Sequence, residues 1–179
     1  MRHHGHGILA GFAALIVLAS GPSAQAANLG QARSFLTALY AHYPNPPPGK
    51  GVPFTPTDAK TRASVFDPAM VALLKEDERL TQPGDVGALD GDPLCDCQDD
   101  GGLKVQIEPM RPLSASTARV VVVLRFTEAR PVDVRRLALD LVEVSGQWRI
   151  HDISSQDTPS LRALLIMSNR EGEWSGARR

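Results

Sequence analysis

The sequence predicts an α+β fold, with helices packed on one face of a curved antiparallel sheet of about four strands. Two observations carry this. Before about residue 85 the apolar residues recur at helical spacing, whereas after Gly102 large apolar residues recur at every second position. The alternating runs are also separated only by short turn sequences, which join neighbours as antiparallel hairpins and leave no room for crossover helices.

The chain opens with Arg2, an apolar run from Ile8 to Leu18, the helix-breaking pair Gly21-Pro22 and the sequence Ala24-Gln25-Ala26. That order is expected of a secretory signal peptide cut after Ala26, because a membrane span would need about 20 apolar residues. His3, His4 and His6 go with this leader and are not expected to bind metal. No cysteine follows the apolar run, so the usual signal for a lipid anchor is missing. Residues 27–179 are then expected to form one soluble domain, in the periplasm or secreted, long enough to bury a core. Removing the leader takes away Arg2 and no acid, so the 19 Lys and Arg of the whole chain fall to 18 against 20 Asp and Glu. A balance near −2 argues against nucleic acid as a general partner.

Asn28 is expected to cap a first helix whose stripe is Leu29, Ala32, Leu36, Leu39, Tyr40 and Tyr43, with Pro44 ending it. Prolines and glycines crowd residues 44–56, which are expected to run extended as a loop inside the domain. Asp67-Pro68 is a strong helix start, since Asp accepts the orphan amides and Pro at the first position loses nothing. Met70, Val71, Leu73 and Leu74 supply that helix's buried side, and Gln82-Pro83-Gly84 closes it. Four strands follow, with inward sets Leu103/Val105/Ile107, Val120/Val122/Leu124/Phe126 and Leu137/Leu139/Leu141, then Trp148 to Ile153 after a Ser145-Gly146 turn. Thr158-Pro159 is expected to open a last helix with Leu161, Leu164 and Leu165 inward, and residues 170–179 to fray. A sheet wrapped round a long helix leaves a cone-shaped pocket, as in the nuclear-transport-factor-two-like or cystatin-like folds.

The stretch between the helical and strand-rich halves is the chemically densest. Cys95-Asp96-Cys97 can form a disulfide, which export favours; it can also be read as a redox pair or as metal-binding or free thiols. The redox reading lacks the two-residue spacer and any basic neighbour that would lower a thiol pKa. A disulfide between Cys95 and Cys97 is the expected state. Asp90, Asp92, Asp96, Asp99 and Asp100, with Gln98, form a candidate binding loop. Their spacing does not match a helix-loop-helix calcium site, so no metal and no cofactor are expected. Trp148 and Asp152 share a strand face by simple alternation and are candidate pocket residues. His151 and Asp152, being adjacent, point to opposite faces and cannot pair with each other. No nucleophile elbow or phosphate loop is present. Charge is uneven: ten acids face Lys75 and Arg79 between Asp67 and Asp100, while from Gly101 onward twelve basic residues face nine acids.

Several segments resemble a bacterial family of small exported or lipid-anchored proteins designated domain of unknown function 3828. They are Ala32-Arg33-Ser34-Phe35-Leu36-Thr37-Ala38-Leu39-Tyr40, Phe66-Asp67-Pro68-Ala69-Met70-Val71-Ala72-Leu73-Leu74, Asp92-Pro93-Leu94-Cys95-Asp96-Cys97-Gln98-Asp99, and Trp148-Arg149-Ile150-His151-Asp152-Ile153 with Ser160-Leu161-Arg162. The resemblance implies an exported protein and carries no catalytic residue with it. The expected function is a non-catalytic module that binds a protein of the cell envelope, an immunity protein against a toxin being one version. The alternative is a small periplasmic enzyme or ligand-binding protein that uses the cone pocket.

Overall fold

The computed structural model describes residues 22–43, 58–89, 91–98 and 102–176. The leader up to residue 21, the proline-rich stretch 44–56, and Asp90, Asp99 and Asp100 of the candidate loop lie outside the described residues. Helices α1 (Pro22–Tyr40), α2 (Ala59–Val65) and α3 (Pro68–Leu80) precede strands β1 (Leu103–Ile107), β2 (Arg111–Pro112), β3 (Thr117–Phe126), β4 (Asp133–Val144) and β5 (Gln147–Ser154), and α4 (Leu161–Gly176) closes the order. The strands form one open, curved antiparallel sheet in the order β1-β3-β4-β5, with β2 also on β3. The α+β architecture expected from the two periodicities is the one found.

Strands β1 and β2 are two pieces of one broken strand, since β1 pairs with residues 122–126 of β3 and β2 with residues 118 and 119. Pro109 lies between them and has no N–H to give to the ladder. Alternation then sorts the sheet into two faces. Leu103, Val120, Val122, Leu124, Leu137 and Leu139 are buried under the helices, while Lys104, Arg119, Arg125 and Arg136 stand exposed on the other side. The far edge of β5 is partly covered, because the Asp67 amide donates to the Ile150 carbonyl at 3.0 Å.

One register slip changes which residues share a face. Asp140 pairs with Asp152 but the next residue, Leu141, pairs with Ile150, so His151 is an extra residue in β5. Ile150 and Ile153 both point into the core as a result. Asp152 is turned to the outer face, opposite Asp140. Simple alternation had put Asp152 beside Trp148 and Ile150; the bulge places Trp148 inward and Asp152 outward.

The helices also depart from expectation in instructive ways. Helix α1 begins at Pro22, so Asn28 lies inside it and is not its cap. The residues before Asn28 are mostly Ala, Ser and Gln, which let a helix extend backward. The side-chain amide of Asn28 instead donates to the Ala115 carbonyl at 2.7 Å and to Glu143 at 2.9 Å, and its oxygen accepts from the Trp148 indole at 2.8 Å. Helix α2 was not expected; Asp58 caps it by accepting from the Thr61 amide at 2.9 Å. Helix α4 starts at Leu161, with the Ser160 hydroxyl accepting from the Ala163 amide at 3.0 Å, and continues to Gly176 where fraying was expected. It persists because it packs on α3: Asn169 donates to the Leu73 carbonyl at 3.1 Å. At Gly172 a Cβ would sit 3.2 Å from that of Leu80, so glycine permits the close crossing. Among the described residues no helix is long and apolar enough to cross a membrane.

Candidate functional site

The segment from Gly91 to Gln98 folds into a small ring closed by a disulfide between Cys95 and Cys97, whose Cα atoms lie 5.1 Å apart. The ring is closed a second time by backbone, with the Asp92 amide donating to the Cys97 carbonyl at 2.9 Å. Asp92 also accepts from the Leu94 amide at 2.8 Å, folding the chain back on itself. Gly91 is required by this closure, because a Cβ there would meet the Cys97 carbonyl oxygen at 2.7 Å. Asp96 takes the left-handed conformation, φ 52°, at the tip of the turn, where Asp is among the residues that tolerate it.

Three side chains from outside hold the ring in place. The Tyr40 hydroxyl of α1 donates to the Leu94 carbonyl at 3.0 Å, the Tyr43 hydroxyl donates to the Asp92 carboxylate, and Arg135 of β4 donates to the Asp96 carbonyl. Arg135 is itself fixed, with its Nε 2.8 Å from Asp133 and its guanidinium 4.9 Å above the Phe126 ring. Burial raises the pKa of Asp92 above the usual carboxylate value; the Tyr43 and Leu94 hydrogen bonds oppose this without reversing it. Burial, reinforced by the charge of Asp92, also raises Tyr40 well above the ordinary tyrosine range, so its hydroxyl stays a donor.

This ring is one wall of a groove of about 600 Å³. The opposite wall is the start of α4, through Leu161 and Leu164, and the floor is made by Leu137 and Ile153 of the sheet. Asp92, Asp96, Gln98, Arg135, Ser155 and Thr158 bring polar groups to its lining. Leu164 was expected to point into the core, yet it is 37 % exposed at the lip of the groove. An apolar bed with a few fixed polar groups is the usual make-up of a recognition site.

A second cluster joins three elements elsewhere. Asp67, whose side chain is 8 % exposed, caps α3 by accepting from the Met70 amide at 2.7 Å. It also accepts from Arg162 of α4 at 2.9 and 3.1 Å, and His151 Nδ1 of β5 lies 2.6 Å from its second oxygen. Burial opposes ionisation of Asp67, but Met70, His151 and Arg162 together outweigh it and hold the carboxyl below its usual range. A buried carboxylate compensated in this way is a joint between α3, β5 and α4.

Of the residues singled out by sequence, Asp92, Asp96 and Gln98 come together at the groove, while Trp148 lines a separate hollow beside α1 with Gln31 and Phe35. Asp152 belongs to neither. Its carboxylate accepts from the Ser160 hydroxyl at 2.6 Å and from the Ile153 and Arg162 amides at 2.8 and 3.0 Å, fixing the entry into α4. His151 does pair with an aspartate, but the partner is Asp67, 84 residues away. The groove residues missed by sequence are Arg135, Leu164, Ser155 and Thr158. For Arg135 a signal was present, as an arginine that breaks the inward alternation of β4. Among the described residues no three His, Cys, Asp or Glu side chains are grouped so as to hold a metal ion.

No protein-family profile matches the chain, and no solved structure matches it. Among curated proteins it is similar to the uncharacterized protein YqhG of Escherichia coli strain K12, with 36 % identity over 87 residues. The aligned part is 49 % of this chain and 28 % of that protein, so the chain spans well under a third of the length of the relative it matches.

Proposed function

We propose that this chain is an exported, non-catalytic binding module that takes a protein partner of the cell envelope into the groove between the Cys95–Cys97 ring and α4. The observation that carries the proposal is the fixing of the ring. A disulfide, a backbone closure and hydrogen bonds from Tyr40, Tyr43 and Arg135 hold one wall rigid, and a rigid wall lowers the entropy cost of binding. The exposed Leu164 on the facing wall suits insertion of an apolar side chain. Export, the expected leader and a toxin-blocking role belong to the same proposal, supported by the resemblance of the segment around Asp92 to Asp99. The alternative reading, a small enzyme or ligand-binding protein, would use the same groove.

The test is site-specific photocrosslinking in the native host. A photoreactive residue at Leu164 should give a discrete protein adduct that Cys95→Ser/Cys97→Ser abolishes, while the same residue at Val86, exposed but outside the groove lining, gives none. Equal adducts at both positions, or a small molecule retained in the groove by native mass spectrometry, would overturn the proposal.

A further inference from the structure

The outer face of the sheet carries a charge pattern that folding does not explain. Lys104 of β1 stands directly opposite Arg125 of β3, and Arg111 of β2 directly opposite Arg119 of β3. Like charges facing each other across an antiparallel pair oppose sheet formation. Asp140 answers Arg119 at 2.5 Å and Glu108 answers Arg136 at 2.8 Å. Among the described residues no acid pairs with Lys104, Arg111 or Arg125. Each like-charge pair also has an exposed apolar neighbour. Val134, 45 % exposed, is the residue paired with Arg125, and Leu113, 49 % exposed, follows two positions after Arg111. Arg119 and Arg125 lie six positions apart on β3, which is about 20 Å at roughly 3.3 Å per residue.

We propose that this face is a second interaction surface, distinct from the groove, that docks an acidic protein segment lying along β3 with carboxylates at both ends and apolar side chains beside them. Charge complementarity favours a protein over an anionic membrane. Between the two cationic ends lies the Arg136–Glu108 ion pair, and the row at the Arg111–Arg119 end runs on into Asp140 and Asp152, so the face is mixed in sign. An alternating pattern selects a partner with the matching pattern, whereas lipid headgroups present one sign throughout and reward a uniformly basic patch.

The probe is a labelled peptide of about 12 residues with glutamate–valine pairs at its two ends and uncharged residues between them, titrated into the full chain at low salt with amide NMR shifts recorded. Shifts should map to Lys104, Arg111, Arg125 and Val134. Lys104→Glu and Arg111→Glu should each weaken binding about tenfold or more, and raising salt from about 50 to about 300 mM should weaken it several-fold. Lys104→Glu places a carboxylate opposite Arg125, so the variant should fold at least as well as the parent. Val134→Asp, at a half-exposed site, gives a second variant expected to weaken binding. Shifts that map to the groove, binding indifferent to these substitutions, or binding to phosphatidylglycerol vesicles in preference to the peptide would each overturn the proposal.

Discussion

Asp67 and Asp92 are both carboxylates tucked beside the core, and each caps a local turn through a backbone amide. They are pushed in opposite directions. Asp67 has a guanidinium on one side and an imidazole on the other, and it is held below the ordinary carboxylate range in spite of its burial. Asp92 has a tyrosine hydroxyl and one amide but, among the described residues, no cation on it, and burial holds it above that range. What separates them is compensation of charge, not depth. The compensated site joins α3, β5 and α4. The uncompensated one stands in the wall of the groove that is proposed to take a partner.

Removing each carboxyl is the strongest way to break the comparison. Asp67→Ala takes away a helix cap and leaves Arg162 without its counter-charge, so it should cost about 3–5 kcal/mol by urea unfolding at neutral pH. Asp92→Asn, which keeps the shape and removes a poorly solvated charge, should change stability by less than about 1 kcal/mol. Equal losses at the two positions would erase the distinction.

A smaller effect is expected from the ring itself. The disulfide closes so few residues that loop entropy gives it only about 1–2 kcal/mol. Cys95→Ser/Cys97→Ser should therefore leave a folded protein, lowered by that amount, while the amide signals of Asp92 and Gln98 move and those of Asp67 and His151 do not. Loss of the fold would mean that the ring is a foundation of the core and not a shaped wall.

The sheet was legible because β1 alternates strictly and β3 and β4 keep a large apolar residue at every second position, and α3 because Asp67-Pro68 announces its start. The misses have physical causes. His151 is one surplus residue, and a bulge leaves no mark in an alternating string, so Asp152 was assigned to the wrong face. Helix α2 has seven residues with only Val65 as a buried apolar anchor, too short for a helical period to emerge. Asn28 looked like a cap by residue type, since nothing local shows that the helix begins earlier. The ring was legible from two cysteines one residue apart. Its anchors were not, because Tyr40, Tyr43 and Arg135 reach it from 39 to 54 residues away.

The opposite shifts also have opposite consequences for stability. Asp67 contributes stability above the unfolded carboxyl pKa, about 3.9, and loses it as pH falls through its lowered folded value. For Asp92 the folded state holds the proton more tightly, so its contribution is most favourable in acid and is lost as pH rises through its raised folded value. The measurement that tests this contrast most directly is a side-chain carboxyl 13C titration of the folded protein from about pH 2 to 8, assigned with Asp67→Asn and Asp92→Asn. The account predicts a midpoint for Asp67 below the ordinary aspartate value and one for Asp92 above it; midpoints displaced in the same direction would contradict it.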